Sequence, residues 1–164
     1  MRFAVFLDVD GVLNSRTTRG STPEGYTGID DFRVELLANA VKMYEHYELI
    51  LTSDWKELEE DEDDYVYLLE QLELYGLSIS GKTEDLGNNR GEGVIHYMNA
   101  HPEIEEYVIL DDQEFDFGEY AQLWNRLLLT EGIERAELAS TTPEVETRHF
   151  LNMIREQRRY HDFR

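Results

Sequence analysis

Three short apolar runs in this chain end on acids or hydroxyls, and amphipathic stretches separate them. Phe3-Ala4-Val5-Phe6-Leu7 leads into Asp8-Val9-Asp10-Gly11, Glu48-Leu49-Ile50-Leu51 into Thr52-Ser53-Asp54-Trp55, and Glu106-Tyr107-Val108-Ile109-Leu110 into Asp111-Asp112. Runs this short and this apolar predict buried strands. Between the first two, Val34, Leu37, Ala38 and Val41 follow helical spacing that continues to Tyr44 or Glu45, with Leu36, Ala40 and Tyr47 filling in. That pattern predicts a helix capped by Asp30 or Asp31. A second helix is predicted through Tyr65, Leu68, Leu69, Leu72 and Tyr75 to a stop at Gly76. A third opens at Arg90, with Val94, Ile95, Tyr97 and Met98 on its apolar side. A last one starts near Thr142-Pro143 and carries Val145, Phe150, Leu151 and Ile154. Leu77-Ser78-Ile79-Ser80-Gly81 predicts a short strand, and Arg126-Leu127-Leu128-Leu129-Thr130 another.

Strands alternating with helices imply an α/β fold: a three-layer, Rossmann-like parallel sheet with helices on both faces. In such sheets ligands collect at the carboxyl ends of the strands, so Asp8, Asp10, Thr52, Ser53, Asp111 and Asp112 are predicted to converge. Residues 14–30, rich in Gly, Thr, Ser and Pro and without periodicity, predict a loop lying over that edge. No internal repeat or low-complexity linker interrupts the series. A length of 164 residues fits one domain, 1–164, able to bury about two-thirds of its unfolded surface.

Composition narrows the function classes. A hydrophobic fraction of 41% belongs to a folded chain, yet no apolar run approaches the roughly 20 residues needed to cross a bilayer, so no membrane is expected. The chain has no cysteine, which removes disulfides and thiolate metal sites, and no charged-then-apolar leader precedes the first strand. A cytoplasmic location is expected. The net charge of −21 disfavours nonspecific nucleic-acid binding. Against this, Arg148, Arg155, Arg158, Arg159 and Arg164 gather in the last seventeen positions, although such residues more often decorate a helix. Seven acids in eight positions, residues 57–64, lack the glycine and ligand spacing of an EF-hand loop. They predict a solvated helix start, where acids favour the helix dipole.

The first strand's end carries the chemistry. Asp8 and Asp10 would share a face if the strand continued, and Gly11 marks where the backbone breaks away. An Asp-Gly pair alone reads as a turn. Two carboxylates crowded at a strand end, however, repel by several kcal/mol at an effective dielectric of about 20 and recruit a proton or a hard cation such as Mg²⁺.

These residues resemble the haloacid dehalogenase (HAD) superfamily over nearly the whole chain. Asp8-Val9-Asp10-Gly11 is similar to its first motif, Thr52 to its second, and Asp111-Asp112 to its fourth. Arg90 resembles the third, a basic residue before the fourth-motif strand. Small phosphatase-like domains linked to RNA repair proteins place that base similarly, and their hydroxyl-rich strand end before a tryptophan resembles Thr52-Ser53-Asp54-Trp55. Lys82 is the competing base. The resemblance implies a HAD-like fold without a large cap domain and a Mg²⁺-dependent phosphatase. Asp8 would be its nucleophile and Asp10 its general acid/base. The metal would be held by Asp8, the Asp10 carbonyl and Asp112, supported by Asp111. Thr52, Ser53, Gly11 and Arg90 or Lys82 would bind phosphate. An acid in the second position favours phosphatase over dehalogenase, since halide displacement has no leaving oxygen to protonate. A phosphorylated small molecule or polynucleotide end is the expected substrate; a phosphotransferase, or a noncatalytic acidic interaction protein on the same fold, is the alternative.

Overall fold

The computed structural model describes residues 1–160, so Arg164 lies outside the described residues. Six strands form one sheet: β1 (Arg2–Leu7), β2 (His46–Leu51), β3 (Gly81–Lys82), β4 (Glu106–Asp111), β5 (Leu127–Leu129) and β6 (Glu137–Leu138). Their order is β3-β2-β1-β4-β5-β6, and every pairing is parallel except β5 with β6. The helices are α1 (Asp31–Val41), α2 (Asp63–Glu73), α3 (Arg90–Ala100), the single turn α4 (Ala121–Trp124) and α5 (Val145–Tyr160). The α/β reading therefore holds, with no cap domain inserted among the described residues. None of the described helices is long and apolar enough to cross a membrane.

Strand alternation builds the two apolar layers. Phe3, Val5 and Leu7 of β1 face a cluster that includes Leu36 and Leu37 of α1, Leu68 of α2 and Phe150 of α5. Ala4 and Phe6 face the opposite way, toward Val94 of α3 and Leu123 of α4. A one-residue slip of β1 would exchange the two sets, so the register is fixed by burial on both sides. That register matters for the site. Leu7 pairs with Leu51 of β2 and Leu110 of β4, so three strands end level. Asp8 then donates its N–H to the Leu110 carbonyl at 3.0 Å, and Thr52 donates to the Leu7 carbonyl at 2.9 Å.

Several expectations need correction. The first helix stops at Val41, and β2 begins at His46. Apolar spacing continues past the helix because Tyr44 packs from a turn, its ring edge-on to Phe3 at 3.9 Å and stacked with Phe150 at 6.5 Å. The predicted strand over 77–81 shrinks to Gly81–Lys82. Leu77 is buried there as core, and only the Ser80 N–H to Leu49 carbonyl bond prefigures the ladder. The acidic run is a solvated helix start only in part: its acids are exposed except Asp64, and only Asp63 and Asp64 lie in the first turn of α2. Glu57 closes a 3₁₀ turn, Asp54–Glu57, and α2 begins only at Asp63. Within it Asp64 is buried, accepting from the Thr22 hydroxyl at 2.8 Å and the Glu24 N–H at 2.9 Å. The loop 14–30 is thereby fastened to α2, and Tyr67 adds a second tie by accepting the Ile29 N–H at 3.0 Å. The β6 hairpin and α4, too short for a periodic signal, went unpredicted.

Candidate active site

The level strand ends bring Asp8, Asp111 and Asp112 together, with one carboxylate oxygen of each lying within 4.8 Å of the others. Asp8 and Asp111 are buried, whereas Asp112 is exposed. Asp112 can approach because Gly11 opposite it has φ +84°, and a Cβ at Gly11 would run into the Asp112 carboxylate. The loop carrying Gly11 is stitched in place from β5: its carbonyl accepts the Thr130 hydroxyl at 2.6 Å and the Gly132 N–H at 2.7 Å.

Arg90, the first residue of α3, answers this negative charge. Its Nη1 lies 2.8 Å from Asp111 Oδ2 and 3.3 Å from Asp8 Oδ2, while Nη2 lies 3.5 Å from Asp54 Oδ1. The Arg90 backbone N–H donates to Asp116 Oδ2 at 2.9 Å, which fixes the start of the helix. Burial works against the guanidinium charge, but Asp8 and Asp111 more than offset it and hold Arg90 above its ordinary range. Burial, reinforced by the Asp111 carboxylate, pushes Asp8 far above the usual carboxylate range despite Arg90. Asp111 is raised by the same desolvation, which its contacts with Arg90 and the Gln113 N–H oppose. The residues present fit a hard divalent cation: all donors are carboxylate oxygens, and burying Asp8 and Asp111 beside Asp112 leaves charge that Arg90 does not fully cancel.

Asp10 stands apart from this cluster. Its carboxylate is exposed and accepts from Asn14 Nδ2 at 2.8 Å and Trp55 Nε1 at 3.1 Å. At the end of β2, Thr52 is fully buried, and its Oγ1 has no hydrogen-bond partner among the described residues. Such an orphaned hydroxyl is costly unless something else satisfies it. Ser53 differs, because its Oγ accepts the Trp55 N–H at 3.2 Å and caps the 3₁₀ turn. Lys82 does not join the cluster: its Nζ sits 4.3 Å from the centre of the Tyr65 ring.

Sequence reasoning passed over Lys56, Asn14 and Asp116. Lys56 is buried, with Nζ 2.7 Å from Asp85 Oδ1 and donating to Thr83 Oγ1 at 3.0 Å and the Thr52 carbonyl at 3.3 Å. It braces the strand end that carries Thr52. Only the position of Lys56, one residue after an apolar Trp55, hinted at this.

Residues 4–145 match the family described as the HAD domain in Swiss Army Knife RNA repair proteins. No curated protein and no solved structure matches the chain.

Proposed function

The chain belongs to the HAD domains of Swiss Army Knife RNA repair proteins, and from that premise we propose that it hydrolyses phosphomonoesters with Mg²⁺ through an aspartyl phosphate. The observation that supports this most is the meeting of Asp8, Asp111, Asp112 and Arg90 beside the unpartnered Thr52 hydroxyl. Asp8, Asp112 and the Asp10 carbonyl would hold the metal, with Asp111 as support. A Mg²⁺ held there would supply charge neutralisation between Asp8 and the phosphoryl group.

The remaining steps belong to the side chains. An Asp8 oxygen attacks phosphorus in line, and the bond from phosphorus to the leaving oxygen breaks as Asp10 hands that oxygen a proton. Asp10, now a carboxylate, takes a proton from water; the water oxygen bonds to phosphorus, and the Asp8–phosphorus bond breaks to release phosphate. Thr52 Oγ1 and the Arg90 guanidinium hold the phosphoryl oxygens, Arg90 as a fork suited to that geometry. Because no cap domain is inserted among the described residues, a phosphorylated polynucleotide end is as admissible as a small metabolite, and the family's occurrence in RNA repair proteins favours the former.

The test is hydrolysis of an aryl phosphate and of a panel of phosphorylated metabolites and oligonucleotides, with Mg²⁺ and with EDTA. Mg²⁺-supported release of phosphate that EDTA abolishes is expected. Undiminished turnover in chelator rejects the metal, and no turnover on any ester rejects the enzyme.

A further inference from the structure

The exposed carboxylate of Asp10 is oriented by two side chains that are themselves buried. Trp55 is only 8% exposed and packs in the same apolar layer as Leu7, Val9 and Leu51. Its indole N–H reaches out of that layer to Asp10 Oδ2 at 3.1 Å. Asn14, 3% exposed, donates to the other oxygen, Oδ1, at 2.8 Å. Asn14 is fixed in turn, accepting the Gly11 N–H at 2.9 Å and donating to the Gly28 carbonyl at 3.0 Å. Each donor is therefore immobilised before Asp10 is considered.

The route of the chain explains how an indole comes to lie there. Ser53 Oγ caps the 3₁₀ turn Asp54–Glu57 by accepting the Trp55 N–H. That turn carries the ring from the end of β2, where Thr52 sits, to the loop following β1. A buried indole N–H must find an acceptor; the one it finds is the acid two residues from Asp8. Each carboxylate oxygen keeps a second lone-pair direction, so the contact leaves room for the proton that Asp10 must carry.

We infer that Trp55 is a positioning residue for proton transfer: its indole N–H, with Asn14, aims the Asp10 carboxyl at the leaving oxygen. This rests on the phosphatase reading and on Asp10 as the acid. In the step concerned, the Asp8 oxygen forms the bond to phosphorus, the bond to the leaving oxygen breaks, and that oxygen takes the Asp10 proton. The indole keeps its own proton throughout.

The test is single-turnover phosphoenzyme formation with Mg²⁺, measured on an alkyl and an activated aryl phosphate. Alkoxide leaving groups need the proton and activated phenoxides scarcely do. Trp55→Phe should lose about 10-fold on the alkyl ester, the size of one ordinary hydrogen bond, and distinctly less on the aryl ester. Replacement of Trp55 by 3-benzothienylalanine deletes the N–H at nearly constant shape and should reproduce the same split, which keeps the test decisive if Trp55→Phe does not fold. Equal losses on the two esters in that isosteric variant would reduce Trp55 to a packing residue and overturn the inference. Asp10→Asn is run alongside: if it discriminates between the esters and the Trp55 variants do not, the inference fails and the acid assignment stands. If Asp10→Asn itself shows no discrimination, the acid assignment fails, and the inference with it.

Discussion

Asp8 and Asp10 are the same side chain two residues apart, yet their surroundings have little in common. Asp8 is buried among Asp111, Asp112 and Arg90, where its behaviour is governed by desolvation and by neighbouring charge. Asp10 is exposed, and its contacts are with the neutral donors Asn14 and Trp55. One site sets a charge state; the other sets a direction. The two carboxylates can be separated in this way because β1 ends at Leu7 and the chain turns across residues 9–11, where Gly11 takes φ +84°.

The comparison breaks most cleanly at Asp8. Asp8→Asn should abolish phosphoenzyme formation on every ester, because the attacking oxygen's charge is gone whatever the leaving group; a covalent phosphoenzyme trapped from this variant would refute the division. Asp10→Asn should cost about 10² to 10⁴-fold on alkyl phosphates, the usual worth of general acid catalysis, and much less on activated aryl esters in the phosphorylation step. Arg90→Ala should lose about 10² to 10³-fold, as expected when a preorganised electrostatic contact to a reacting oxyanion is removed. Lys82→Ala, which removes only a contact with the Tyr65 face, should lose far less. A larger loss at Lys82 in the same assay would reverse the assignment.

A further effect is on stability. In chelator, the raised pKa of folded Asp8 means that the folded chain keeps a proton the unfolded chain releases, so the unfolded state gains relative stability as pH rises from about 4 to about 8. Urea midpoints of wild type and Asp8→Asn should therefore diverge with rising pH, to the disadvantage of wild type. No equivalent divergence is expected when Mg²⁺ is present. Parallel midpoints across that range in chelator would show that burial does not strain this carboxylate.

The strands that end on Asp8, Thr52 and Asp111 were legible because each is a short apolar run stopped by polar residues, and the parallel arrangement follows from their alternation with helices. Arg90 was legible as a base opening a helix. What escaped were residues whose role depends on a partner distant in sequence. Asp64 looks like any other member of an acidic run until Thr22 and Glu24 close on it. Lys56 reads as a surface lysine until Asp85 and Thr83 surround it. Tyr44 continued a helical period only because its ring serves Phe3 and Phe150 from a turn. Periodicity reports which residues are wet or dry, and these three are decided by contacts the period does not encode.

The stitching of Gly11 to Thr130 and Gly132 bears on when the site comes into being. The loop holding both aspartates emerges near the start of the chain, but two of its restraints come from more than a hundred residues later, at the exit of β5. During synthesis these contacts can close only once residue 132 has emerged, after every strand of the β2-β1-β4 centre is available to pair. A nascent chain that has paired β1 with β2 and β4 therefore has a folded centre and a loop that still lacks these two restraints. Local opening of the β5–β6 end would release the same two restraints in the finished protein, and it would uncover the core residues Leu127 and Leu128 as it did so.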